Sequence, residues 1–221
     1  FTVLGLMSGT SMDGVDLSLI KTDGHDYFEQ ISNKFYEFNE ELYKDLIYLR
    51  KNIKKSADLK DKASLLLDIE KKFTIFNAQI INDFVNTKGI IPNFVGFHGQ
   101  TIYHNSKDRI SKQIGNGNLL SQLTKCTVIN NFRQQDLDNG GQGAPLTPIF
   151  HYLISKLINK KNKLEYPINI INIGGITNVT TILNNKDIEK EIYAYDIGPG
   201  NCLIDEWIKK NSNKKFDDKG S

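Results

Sequence analysis

The sequence predicts an α/β fold whose sheet is mainly parallel beyond its first hairpins. Three observations carry that prediction. Stretches of strand character alternate with stretches of helical periodicity along the chain, the pattern of βαβ construction. A strand–loop–strand unit with a small-residue polar loop occurs twice, first around Gly9 and again around Gly174. At 221 residues the chain can also bury a substantial core, enough for one large or two small domains.

The elements follow in order. Val3, Leu4 and Leu6 lead into the first loop and Val15, Leu17 and Leu19 alternate out of it. Residues 2–7 and 15–21 therefore read as strands, with a third over 27–38. The loop region is Gly5-Leu6-Met7-Ser8-Gly9-Thr10-Ser11-Met12-Asp13-Gly14-Val15-Asp16. Asp13-Gly14 is a hairpin-turn signal, yet the run is longer than a plain turn and rich in N–H donors and hydroxyls. Glycines let backbone approach an anion closely, and nested N–H groups bind phosphate oxygens. An ordinary surface hairpin is the alternative. The run is not a Walker loop, because it lacks the Lys-Ser/Thr ending and the strand-to-helix context.

A helix over 39–53 opens on Asn39 as its cap, with Glu40 and Glu41 in the first turn. A second, over 57–86, carries Leu66, Ile69, Phe73, Phe76, Ile80 and Phe84 at helical spacing as a buried stripe, and Gly89 suits its end. A strand over 93–97 runs into His98-Gly99-Gln100-Thr101. Next come a short helix over 119–124, a strand over 126–130, a polar glycine-rich loop over 131–143 and a helix from Pro145 to Ile158. The Ile-rich run over 168–173 enters Gly174-Gly175-Ile176-Thr177-Asn178 and leaves as a strand over 179–183. A last strand, 192–195, ends in Asp196-Ile197-Gly198-Pro199-Gly200-Asn201 before a helix over 203–210.

Bulk properties narrow the function. Lys+Arg 28 against Asp+Glu 26 leaves +2, which argues for neither nucleic acid nor an anionic membrane as partner. Cys126 and Cys202 show no metal or disulfide spacing and read as small buried residues of a reducing compartment. No apolar run reaches membrane-spanning length and no signal-peptide core opens the chain, so a cytoplasmic protein is expected. The start without Met and the stop at Asp218-Lys219-Gly220-Ser221 fit a fragment of a longer protein.

Asp196 is the sharpest catalytic candidate. It stands at the carboxyl end of a strand, where ligands bind in open α/β sheets, and Gly198-Pro199-Gly200 would let a ligand approach the following helix start. A carboxylate beside a γ-phosphate orients and deprotonates the attacking oxygen; the alternative for Asp196 is a turn or cap. One of Asp13 and Asp16 could hold Mg²⁺ through water, with Asp13 before Gly14 as a simple turn residue the alternative, and spacing alone assigns no metal ligand. His98, Gln100 and Thr101 suit a hydroxyl-rich ligand, or His98 is a hydrogen-bonded strand-end histidine. Arg133, Gln134 and Asp136 with Gly140-Gly141-Gln142-Gly143-Ala144-Pro145 form a long polar loop of the kind that carries function. Arg133 suits a carboxylate or acyl group, or pairs structurally with Asp136.

Taken in order, the loop at Gly9, His98-Gly99-Gln100-Thr101, Phe132-Arg133, Gly140 to Leu146, Asn172 to Asn178 and Asp196 to Asn201 resemble the anhydro-N-acetylmuramic acid kinase family over nearly the whole chain. The resemblance implies the actin-like ATPase (ribonuclease H-like) fold of the actin/hexokinase/Hsp70 superfamily. Residues 1–163 would form an N-terminal domain with the first phosphate loop and the sugar-site loops. Residues 164–221 would begin a second related domain with a second phosphate loop and the catalytic Asp. It implies ATP-dependent phosphorylation of 1,6-anhydro-N-acetylmuramic acid with hydrolytic ring opening, giving N-acetylmuramic acid 6-phosphate in peptidoglycan recycling. By position, Gly9, Thr10, Ser11, Met12, Asp13, Gly14, Val15 and Asp16 would bind ATP phosphates, with Gly174 and Gly175 as the second phosphate loop. Asp196 would activate water for attack at the anomeric carbon, while the sugar O6 takes the γ-phosphoryl group. His98, Gln100, Thr101, Arg133, Asp136 and Gln142 would line the sugar site. ATP and Mg²⁺ are the implied cofactors, an amino sugar the partner, and a homodimer the candidate assembly.

Two departures stand out. Asn131 occupies a position where the family usually has Asp, and family members continue well past this chain's end. Residues 1–221 alone are therefore expected to show little or no kinase activity in a coupled ADP-release assay. The rival readings are a kinase of the same superfamily for another sugar and a non-catalytic sugar- or nucleotide-binding remnant.

Overall fold

A computed structural model describes residues 1–184, 191–214, 217 and 220, apart from the side chains of Lys160 and Lys161. The chain divides into two compact units, Phe1–Ala144 and Pro145–Ser221.

The first unit is a sheet packed on helices. Its strands are β1 (Thr2–Ser8), β2 (Gly14–Thr22), β3 (Phe28–Glu37), β4 (Phe94–Asn105), β5 (Ile110–Ile114) and β6 (Val128–Asn130). They run in the order β3-β2-β1-β4-β5, with β6 also paired to β4. Only β1/β4 and β4/β6 are parallel; β1/β2, β2/β3 and β4/β5 are antiparallel. The sheet is mixed rather than mainly parallel. Chain length decides this: short turns join β1 to β2, β2 to β3 and β4 to β5, and a short turn can only reverse a strand. The two parallel pairs are those whose connections contain helices.

Helix α1 (Glu40–Asn52) starts as the sequence indicates, with the Asn39 side chain accepting from Leu42 N at 2.9 Å. The long second helix is interrupted. Lys62, at φ −110° and ψ 20°, leaves the helical region and separates α2 (Ser56–Asp61) from α3 (Ala63–Lys88). Gly89 ends α3 at φ +66°. The aromatic stripe of α3 is core as expected: Phe73, Ile69 and Phe84 pack with Leu4, Leu17, Leu19, Leu46, Val95 and Phe97. Helices α4 (Gly117–Thr124) and α5 (Phe132–Asp138) complete this unit. The stretch read as a loop over 131–143 thus begins as a helix. Asn131 precedes it in a left-handed conformation (φ +64°), which Asn tolerates better than most side chains.

The second unit holds α6 (Pro148–Asn162), an antiparallel sheet in the order β7 (Ile168–Ile173), β8 (Ile176–Ile182), β9 (Ile192–Pro199), and α7 (Asn201–Asn211). His151 of α6 pairs its Nδ1 with Thr180 Oγ1 of β8 at 2.8 Å. That contact groups α6 with this sheet, so the units divide earlier than residue 163, the boundary drawn from sequence. Cys126 is buried as expected, whereas Cys202 is exposed on α7. Among the described residues no helix is long and apolar enough to cross a membrane.

Candidate active site

The loop joining β1 to β2 is sorted by polarity. Four of its carbonyls, those of Gly9, Thr10, Asp13 and Gly14, are held by donors, most of them from the rest of the unit. Gly9 O accepts from Met12 N at 3.2 Å and from Gln100 Nε2 at 3.0 Å. Thr10 O accepts from Arg50 Nη1 of α1 at 2.6 Å, and Asp13 O from Phe38 N at 2.9 Å. Gly14 O accepts from Ser8 Oγ at 3.0 Å. By contrast, the N–H groups of Gly9, Thr10, Ser11 and Asp13 meet no acceptor among the described residues. A loop with bound carbonyls and free amides presents positive partial charge, the property of an anion nest.

Side chains divide the labour. Met12 takes φ +58° and buries its side chain in the core, anchoring the loop from below. Val15 is likewise core. Gly14 is glycine for packing: an added Cβ would sit 2.3 Å from Tyr36 O and 2.5 Å from the Phe35 ring. Thr10, Ser11, Asp13 and Asp16 remain exposed, with Ser11 Oγ donating to Asp13 Oδ1 at 2.6 Å. Partial burial, and then the neighbouring Asp13 charge, raise the Asp16 carboxyl above its ordinary value.

A glycine bulge shapes the expected sugar-site strand. Leu6 and Ser8 of β1 pair with Phe97 and Gln100 of β4, so β4 holds one extra residue there. Gly99, at φ +74°, makes the bulge, and an added Cβ would meet Ile114 O at 2.5 Å. Residues 98 and 100, which a regular strand would place on one face, are thereby turned apart. His98 meets Arg133 of α5, while Gln100 is fully buried against the β1–β2 loop. The resemblance put Gln100 at the sugar site; its side chain turns to the β1–β2 loop, bonding Gly9 O and meeting Ser8 Oγ. Thr101 stays beside β5, its Oγ1 accepting from Gln113 Nε2 at 3.2 Å.

Arg133 donates from Nε to His98 Nε2 at 2.8 Å and from Nη1 to Gly143 O at 2.7 Å. His98 accepts on Nε2 and so carries its proton on Nδ1, which donates to Gly99 O at 2.7 Å. Burial, and then the Arg133 charge, lower the His98 pKa from 6.5 to about 4, keeping the ring neutral. Asp136 does not pair with Arg133: its Oδ2 accepts from Gly143 N at 2.7 Å and its main-chain O from Gly141 N at 2.8 Å. Asp136 thus holds the turn on which Gln142 lies exposed. Among the described residues both hydrogen-bond partners of Arg133 are neutral and none forms an ion pair with it, so the guanidinium has further N–H groups to offer. His104 also faces Arg133; burial and that charge lower its pKa too.

The second unit repeats the polarity sorting. Gly174 O accepts from Asn201 N at 2.7 Å, and Gly175 O accepts from Gly200 N at 3.0 Å and Cys202 N at 3.3 Å. The amides of the α7 start, expected to face a ligand, are thus taken by the Gly174-Gly175 carbonyls. The Gly174 and Gly175 N–H groups themselves meet no acceptor among the described residues. Gly200 is required by this approach, since a Cβ would meet Gly174 O. Asp196 is exposed on β9 opposite Asn178, beside a bulge at Ile197, and Gly200 rather than Asp196 occupies the α7 cap position. Sequence reasoning missed Arg50, which belongs to no motif with the loop and is brought to Thr10 O from α1 only by folding; Ser8 lies within the loop motif, but sequence reasoning assigned it no role. Among the described residues no group of three or more His, Cys, Asp or Glu could hold a metal.

The whole chain, residues 1–221, matches the family model for anhydro-N-acetylmuramic acid kinase. The chain belongs to that family. It is 49% identical over 222 residues to the anhydro-N-acetylmuramic acid kinase of Pelagibacter ubique (strain HTCC1062), covering 100% of this chain and 57% of that protein. The Brucella canis protein of the same name is 35% identical over 221 residues, covering 99% of this chain and 58% of that protein. That of Rhodospirillum rubrum is 36% identical over 218 residues, covering 99% and 54%. The chain therefore spans less than three fifths of these relatives. With the family comes the actin-like ATPase fold.

Proposed function

We propose that the protein carrying this chain phosphorylates 1,6-anhydro-N-acetylmuramic acid from ATP while opening the anhydro ring with water. The observation that carries the reading is the polarity-sorted loop at residues 9–14, in which bound carbonyls leave free N–H groups for phosphate oxygens. The Gly174-Gly175 loop offers its amides in the same way. Asp13 and Asp16 fit Mg²⁺, because their mutual repulsion favours a cation and Mg²⁺ takes one or two carboxylates beside phosphate and water. Bound there, Mg²⁺ would neutralise charge on the transferring phosphate.

Asp196 takes a proton from water as the water oxygen bonds to C1. The C1–O6 bond breaks, and O6 bonds to the γ-phosphorus as ADP leaves. Arg133, whose partners among the described residues are neutral, receives the carboxylate of the sugar's lactyl group, and His98 and Gln142 flank it. The reading places the protein in the cytoplasm, with a homodimer as candidate assembly.

The test uses the natural full-length protein in an ADP-release assay with the anhydro sugar and with ordinary hexoses. The expected result is turnover on the anhydro sugar, with solvent ¹⁸O at C1 of the product. Turnover on hexoses alone would transfer the reading to another sugar. Asp196→Asn should lower kcat by about 10²–10⁴-fold with ATP affinity retained; full activity in that variant would remove Asp196 from the chemistry.

A further inference from the structure

We infer that Gln100 is a positioning residue for the phosphate loop, fixing the width of the loop's mouth from the neighbouring strand. The inference rests on the reading of residues 9–16 as the ATP phosphate loop. Gln100 is completely buried, an unfavourable place for a primary amide unless each end finds a partner. Its Nε2 donates to Gly9 O at 3.0 Å and Thr101 O at 3.3 Å. Its Oε1 lies 2.5 Å from Ser8 Oγ. The Ser8 hydroxyl in turn reaches Gly14 O at 3.0 Å. One side chain therefore holds the first stem of the loop directly and the second through Ser8. Gly14 cannot retreat toward β3, where Tyr36 O and the Phe35 ring already fill the space of a Cβ. One feature aims Gln100 there: the β4 bulge, made by the left-handed Gly99, which turns it away from His98.

The arrangement predicts an effect on nucleotide rather than on sugar. Gln100→Glu keeps the shape but replaces two amide donors with acceptors that face the Gly9 and Thr101 carbonyls. Ser8→Ala removes the one hydroxyl that contacts both Gln100 Oε1 and Gly14 O, while leaving the Gln100 amide bonds to Gly9 O and Thr101 O. In the natural full-length protein, either variant should raise the Kd and KM for ATP by about tenfold or more, the consequence of losing a buried hydrogen bond. The KM for the anhydro sugar should stay within about twofold, because His98 and Arg133 bond each other, Gly99 O and Gly143 O rather than Gln100 or Ser8. The double variant should be little worse than the poorer single one, because both break one chain of contacts. Measurement is by calorimetry with ATP, steady-state kinetics in both substrates, and thermal unfolding. If Gln100→Glu does not fold, Ser8→Ala carries the comparison alone. ATP affinity unchanged in the folded variants overturns the inference. Equal losses for ATP and sugar that follow a fall in Tm also overturn it, since they mark general destabilisation. A wild-type protein that binds no ATP overturns the phosphate-loop reading itself, and the wild-type arm separates that outcome from the others.

Discussion

At His98 the position of one proton decides whether Arg133 is held or repelled. Neutral, the ring accepts from the guanidinium; protonated, it would set two cations 2.8 Å apart. Because the folded pKa is about 4 against an ordinary 6.5, the unfolded chain takes up the proton first as pH falls. Stability from this group is thus complete above pH 6.5 and is lost progressively toward pH 4, by on the order of 3 kcal/mol at about 1.4 kcal/mol per pKa unit. The lowered values of His104 and His151 act in the same direction, and the raised Asp16 opposes them. Urea midpoints measured from pH 7 to 4 should fall in the wild type and fall less steeply in His98→Gln. Parallel slopes would mean the ring is not buried against Arg133. At Gly14, substitution by Ala should cost about 1–3 kcal/mol by forcing β2 from β3. A urea midpoint equal to wild type would show that the sheet yields freely there.

Elements read well from sequence where local chemistry decides them, and poorly where distant partners do. Helix α1 was legible because its start is a local event, the Asn39 cap on Leu42. Asn39→Ala should therefore cost about 1 kcal/mol in urea unfolding, and no change would mean water caps the helix as well. The two loops were legible because glycine and hydroxyl residues between apolar strands are a local pattern, and the candidates His98 and Arg133 do meet. Helix α5 was not legible. It has seven residues, buries only Leu137, lacks a side-chain cap and is held by Arg133 and Gln134 contacts to other elements. The continuation of β4 past His98 was hidden for the same reason, since its polar residues pair with a β5 that sequence pattern did not reveal. The bulge at Gly99 could not be foreseen either, although it sends Gln100 to the β1–β2 loop. Gly99→Ala combines a left-handed backbone with a close carbonyl and should cost about 2–4 kcal/mol. An unaltered urea midpoint would show that β4 can shed the bulge.

Across the whole chain, apolar burial is distributed unevenly, and stability should follow it. The continuous core, from Leu4 through Phe73 and Phe97 to Cys126, lies within Phe1–Ala144. Among the described residues of the second unit the buried apolar side chains are Val179, Ile182 and Ile208. One face of its sheet instead exposes Ile171, Ile173, Tyr193 and Tyr195, and α7 exposes Leu203, Ile204 and Trp207. Since buried apolar area supplies most of the favourable free energy, backbone hydrogen bonds of β7, β8 and β9 should open at lower cost than those of β1, β2 and β4. Hydrogen exchange of the 221-residue chain, read by mass spectrometry on peptides from each strand, measures this directly. Peptides from β7, β8 and β9 should reach full exchange while those from the first sheet remain protected, with opening free energies lower by at least about 2 kcal/mol. Matching protection in both sheets would show that the second unit draws stability from contacts beyond its own core, and the division of the chain into unequal folding units would then be lost.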